Sequence, residues 1–241
     1  MRSLKATHSE VMAIPAPNWT DSWHPVAHGD VLRAVASAIR QNDMAIVDEH
    51  YSLSQGGKNM FGVLTIENGG HLPSVAGTTL QLGVRNSISK AMAVGVTAGT
   101  KVTVCSNMMF SGEFIAFRKH TSGLDLDELY EIAITSIAQA AEKMGVLVQW
   151  QEGLKEIELP ETHMKLLTYD GMASGAIAPS SFNSFLDLHK EEVKLNGNSV
   201  YSWHGAGTRA CRDNSLFSIA QKTPKLNTIA SGYVDAIMSL R

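Results

Sequence analysis

Apolar and polar residues alternate through the first half of the chain and recur at helical spacing through the second. Val31, Leu32, Val35 and Ile39 share one helix face behind Asp30, which predicts an amphipathic helix from Asp30, as N-cap, to about Gln41. Met44 to Leu53 alternates imperfectly and stops at Ser54-Gln55-Gly56-Gly57. Met60 to Ile66 follows and stops at Asn68-Gly69-Gly70, so the two runs read as a β-hairpin. Thr78 to Val84 predicts a third strand, Lys101 to Cys105 a fourth and Glu113 to Arg118 a fifth. The last two are joined by Ser106-Asn107 and Ser111-Gly112. The segment from Ser87 to Thr100, with Gly95 and Gly99, reads as a short helix or a loop between strands.

Asp125 with Glu128 forms a capping-box-like pair ahead of a helical stripe: Leu126, Leu129, Ile132, Ala133, Ile137, Ala140, Ala141 and Met144, with Gly145 as the expected stop. Pro160 opens a helix through Leu167. Ser180 or Ser181 caps another, with Phe182, Phe185, Leu186 and Val193 inward, and Asn196-Gly197-Asn198 makes a turn. Helical segments are expected near Ser215 to Gln221 and from Lys225 to Met238. Before residue 30, Pro15, Pro17 and Pro25 forbid a continuous helix, and Trp19 and Trp23 are placed to anchor this stretch on the body. The expected organisation is an irregular N-terminal arm, 1–29, and a single α+β domain, 30–241. That domain holds an N-terminal helix, an antiparallel β-meander of about five strands, a long packing helix and a mostly helical C-terminal half.

With 241 residues and 44% hydrophobic positions, the chain can bury a sizeable core without staples. Two cysteines, Cys105 and Cys211, make no disulfide framework and point to a reducing interior. The amino end lacks the apolar run of a signal peptide and no window reaches 18 unbroken apolar residues. A cytoplasmic protein with no membrane partner is expected. The net charge of −3 argues against a dedicated duplex-DNA binder. Charge is unevenly spread, however. Thr78 to Thr121 carries five cations, Arg85, Lys90, Lys101, Arg118 and Lys119, against Glu113 alone. Asp125 to Glu161 carries nine acids and two lysines. Such asymmetry supplies a face for an anionic ligand, or attraction between subunits; two solvated faces are the plainer alternative.

No recognisable catalytic motif is present. There is no phosphate loop and no nucleophile elbow, and the glycine-rich stretches Gly95 to Gly99 and Gly205-Ala-Gly207 read as turns. His24 and His28 are separated by Pro25, which removes the helical geometry of a metal pair, so no metal and no cofactor are expected. Asp48, Glu49 and His50 form an acid/base run at a strand end, where such residues are usually solvated. The run Tyr201 to Arg212 holds Trp203, His204, Arg209 and Arg212. It reads either as a base-stacking ring with phosphate-holding arginines or as a core tryptophan beside a surface arginine pair.

The segments Leu82-Gly-Val-Arg-Asn-Ser87 and Val102-Thr-Val-Cys-Ser-Asn107, followed by His120-Thr121, resemble the hallmark of a phage- and plasmid-borne family, domain of unknown function 932. Arg85-Asn86-Ser87, Val104-Cys105-Ser106-Asn107 and His120-Thr121 carry the match over roughly residues 25 to 235. The chain departs from that pattern at Ile88-Ser89, where the family tends to carry Asp-Gly. The resemblance implies a bacteriophage origin and hence the cytoplasm of a bacterial host. The order of elements is similar to that of phage single-strand annealing proteins, which form oligomers with single-stranded DNA in a cationic groove.

The expectation is therefore a non-enzymatic single-stranded DNA-binding or annealing-type protein, acting as a homo-oligomer in recombination or replication. Arg85, Lys90, Lys101, Arg118, Lys119, Arg209 and Arg212 would hold phosphates, with Tyr201 or Trp203 stacking a base. A phage protein that binds a bacterial host protein is the second reading, motivated by the acidic 125–161 stretch. An enzyme built on Cys105, His120 and His204 is the third.

Overall fold

A computed structural model describes residues 4–68, 78–102, 107–118, 126–211 and 216–239. Near the amino end, Leu4–Ala6 forms a short strand, β1, paired with Leu53, Ser52 and Tyr51. The helix α1 (His8–Met12) follows. Its capping box is complete: the Thr7 hydroxyl accepts from the Glu10 N–H, and the Glu10 carboxylate accepts from the Thr7 N–H. The stretch before residue 30 thus holds a strand and a helix as well as an irregular path, because its prolines begin only at Pro15. The helix α2 (His28–Gln41) starts three residues before the sequence pattern places it. Ala27 is its N-cap, and Asp30 sits in the first turn paired with Arg33.

Five long strands continue the sheet: β2 (Met44–Ser54), β3 (Asn59–Asn68), β4 (Thr78–Ser87), β5 (Val94–Val102) and β6 (Asn107–Arg118). All six strands pair antiparallel in chain order, which confirms the α+β class and the meander. The first hairpin turns tightly because Gln55, Gly56 and Gly57 all take positive φ, where two glycines carry no steric cost. A register shift between Ile46 and Asp48 turns Val47 outward, which explains the imperfect alternation of β2. Two sequence expectations are corrected here. β5 begins at Val94, so Gly95 and Gly99 are strand residues, and Ser111-Gly112 lies inside β6. Cys105 and Ser106 lie outside the described residues.

Both sheet faces are covered. Met60, Leu64, Ile66, Leu82, Val84, Val94 and Val96 share a core with α2 and with Leu129, Ala133 and Ile137 of α3 (Leu126–Lys155). Phe61 and Val63 point the other way, into a second core built by α4 (Glu161–Ala173), α5 (Phe182–Asn196), α6 (Val200–Ala210) and α7 (Leu216–Met238). At 30 residues α3 is about 45 Å long and reaches from one core to the other. It passes Gly145 because Leu147, Val148 and Leu154 continue its buried stripe; Asp125 lies outside the described residues. α7 likewise runs unbroken through Pro224, where two segments were expected, since Ile219, Thr223, Leu226 and Ala230 keep one face buried across the proline. Phe182, expected to point inward, is exposed, while Phe185 is fully buried.

Candidate nucleic-acid interface

Antiparallel pairing gathers the β2–β3 turn, the β4–β5 turn and the last residue of β6 at one end of the sheet. The Ile88 N–H donates to the Lys58 carbonyl at 2.9 Å, which ties the two turns together. Arg85 pairs in register with Phe61 and Gly95, and Arg118 with Val94, so both lie at this end. Arg85 is half-buried, and burial lowers its pKa. Lys58 and Lys90 are exposed, and Lys90 takes positive φ at its turn.

The segment from Trp19 to His28 is pinned across the same end by one buried amide. Asn86 Nδ2 donates to the Val26 carbonyl at 3.0 Å and lies 3.0 Å from His28 Nδ1, while His28 Nε2 lies 2.9 Å from the Gly57 carbonyl. The network fits a neutral His28 with its proton on Nε2, and burial lowers its pKa below the ordinary value. Thr20 and Trp23 then close a small turn around Asp21. Trp19 is 71% exposed and stacks on His24 with ring centroids 4.5 Å apart. The Lys90 ammonium lies 5.0 Å from the centroid of the Trp23 ring, a cation–π distance. Trp23 Nε1 is buried without an acceptor among the described residues. One exposed ring, Trp19, and one ring under a lysine, Trp23, in a segment that crosses a lysine-bearing end of the sheet have the composition of a base-stacking platform with phosphate contacts.

The basic island of the sequence is therefore divided. Arg85, Lys90 and Arg118 come together, and Lys58 joins them. Lys101, paired with Thr79, stands at the opposite end of the sheet, seven residues or roughly 23 Å along β5 from Val94. Lys119 and Arg212 lie outside the described residues. Arg209 is committed elsewhere: its Nη2 reaches Glu191 at 2.6 Å and its Nη1 reaches the buried Glu192 at 3.2 Å. Trp203 is a correction to the expected site. It is fully buried between helices, and its indole N–H donates to Thr168 Oγ1 at 3.1 Å, so no base reaches it. Gly205-Ala-Gly207 is helical, not a turn.

The remaining candidates have structural partners. His204 Nε2 bonds Asn227 Oδ1 at 2.8 Å, and burial pushes its pKa down to about 4. Cys105 and His120, its proposed partners in a thiol site, lie outside the described residues. Glu49 bridges His8 at 2.9 Å and accepts from the Tyr51 hydroxyl at 2.9 Å where α1 lies along β2. His24 and His28 face different partners, and among the described residues no group of three potential ligands could hold a metal. No helix among the described residues is long and apolar enough to cross a membrane.

Trp19, His24 and Lys58 were not singled out as site residues by the sequence pattern. Their signal is faint: two tryptophans and a histidine within six residues, bounded by Pro17 and Pro25. Comparison with protein-family models, curated proteins and solved structures finds no match, so the resemblance to domain of unknown function 932 rests on its quoted motifs alone.

Proposed function

We propose that the protein binds single-stranded DNA without chemistry, through the turn end of its sheet. The observation that carries this reading is the Lys90 ammonium over the Trp23 ring at the turn end, with the exposed Trp19 in the same short segment and exposed Lys58 on the adjoining turn. Trp19 stacks a base, and Lys58 and Lys90, with Arg118 at the strand end, neutralise neighbouring phosphates. Action as an oligomer in phage recombination or replication is the wider reading that the motif resemblance implies.

The test is quenching of tryptophan fluorescence by oligo(dT). A stacked Trp19 loses emission when a thymine covers it, so the wild-type protein should quench saturably and Trp19→Phe should lose most of the signal. Unchanged quenching in Trp19→Phe would remove the platform from the account. A second reading, a bacterial host protein as partner, is supported by the exposed acids Asp127, Glu131 and Glu142 along α3. Co-purification of a host protein that is lost on charge reversal of those acids would favour it over DNA.

A further inference from the structure

Far along the chain from the sheet turns, α4 and α5 leave a groove of about 580 Å³ between them. That volume lies in the range of small-molecule sites rather than of crevices between packed helices. Leu159, Met164, Leu186 and Val193 line its floor. Lys165, Lys190 and Lys194 stand on its rim, against Glu161 as the lining acid. Lys165 pairs with Glu161 at 2.7 Å and Lys190 with Asp187 at 3.1 Å. Both pairs are exposed and worth little to stability, so either ammonium is readily re-partnered. Lys194 is exposed and has no ion-pair partner among the described residues.

One lining group marks this as more than a packing gap. His189 is 8% exposed, its ring lies parallel to Phe185, and its Nε2 is buried with no hydrogen-bond partner among the described residues. A buried polar nitrogen without a partner is costly, and a ligand atom that bonds it removes the cost. Burial lowers the His189 pKa, which keeps the ring neutral near pH 7 and able to carry a proton on Nε2. An unbranched apolar body would cover the floor, and an anionic head would meet the rim.

We propose that the α4–α5 groove is a binding site for a small apolar anion: a medium-length hydrocarbon chain ending in a single carboxylate. The chain lies over Leu159, Met164, Leu186 and Val193. The carboxylate takes its charge partners from Lys190 and Lys194, and a turn of the His189 ring on binding brings its Nε2–H out of the packing to donate to it. This site is independent of the sheet-turn surface and stands or falls separately from DNA binding.

Titration calorimetry on the full chain tests it, with decanoate, hexanoate and 1-decanol below their micellar or solubility limits. Decanoate should bind saturably at one site per chain. Hexanoate should be much weaker, since each buried methylene contributes about fourfold. The uncharged decanol should bind at least tenfold more weakly than decanoate. Lys190→Glu/Lys194→Glu, a surface change that leaves the fold intact, should weaken decanoate at least tenfold and leave decanol unaffected. Val193→Trp, which fills the groove, should remove both. No saturable decanoate binding, equal affinity for decanol, or an unaffected lysine double variant would each overturn the proposal.

Discussion

Asn86 ties the end of the Trp19–His28 segment to the sheet, because its buried amide serves both the Val26 carbonyl and His28. Asn86→Ala leaves a carbonyl and a ring nitrogen buried without that donor, so it should cost about 1–3 kcal/mol in a urea unfolding titration. It should also weaken DNA binding by releasing Trp19. The same residue shows what was legible in the sequence. Arg85-Asn86-Ser87 stands out as a motif, yet Asn86 and Ser87 act here as structural ties: Ser87 Oγ bonds the Ser89 N–H, and Ser89 reaches Asn59. Arg209 and Trp203 were misplaced for a related reason. A cation and a ring are written the same way whether they meet a phosphate or a buried carboxylate. Arg209→Ala leaves the buried Glu192 without its charge partner, keeping only the Asn196 amide among the described residues, and should destabilise by about 3 kcal/mol, with single-stranded DNA affinity unchanged. His204 makes stability depend on pH. Its folded pKa of about 4 lies below its ordinary 6.5, so the unfolded chain takes up the proton first. The stabilisation is complete above about pH 6.5 and fades as pH falls towards 4, by ~3 kcal/mol from this group. His28 and His189 shift in the same direction. Thermal melts from pH 7 to pH 4 should show falling stability, with a shallower slope in His204→Gln.

Among the elements, those with large alternating side chains were readable and those built from small residues were not. β2 and β3 are flagged by branched and aromatic residues around a glycine turn. β5 hides behind Gly95, Ala98 and Gly99, whose side chains carry little pattern, although Val94, Val96 and Thr97 are buried. α6 is hidden in the same way. Gly205 faces the Glu192 carboxylate, where a Cβ would come within 2.9 Å of Oε2, and Gly207 faces Leu226, where a Cβ would lie 2.9 Å from Cδ1. These glycines let α6 approach α5 and α7 closely, so helix breakers in the sequence become helix contacts in the fold. Gly207→Val should therefore destabilise by about 1–3 kcal/mol despite the better helix propensity of valine, as measured by the urea midpoint at unchanged slope.

At the scale of the molecule, the order of elements was legible but the grouping of charge was not. Hydrophobic period fixes which segments are strands and helices. Which ends of the strands meet depends on strand length and register, and β5 begins seven residues before the Lys101 start that its sequence pattern predicts. That difference places Lys101 away from Lys90, whose neighbours at the turn end are Lys58 and Trp23. The central claim is that two or three phosphates and one stacked base are held at this end. It is tested most directly by fluorescence anisotropy of a labelled single-stranded oligonucleotide at several salt concentrations, for the wild-type protein and Trp19→Ala/Lys90→Glu side by side. The account predicts a log–log salt slope of roughly −1.5 to −2 for the wild type and a loss of tenfold or more in affinity for the variant. Wild-type affinity that ignores salt, or a double variant that binds as tightly as the wild type, would contradict it.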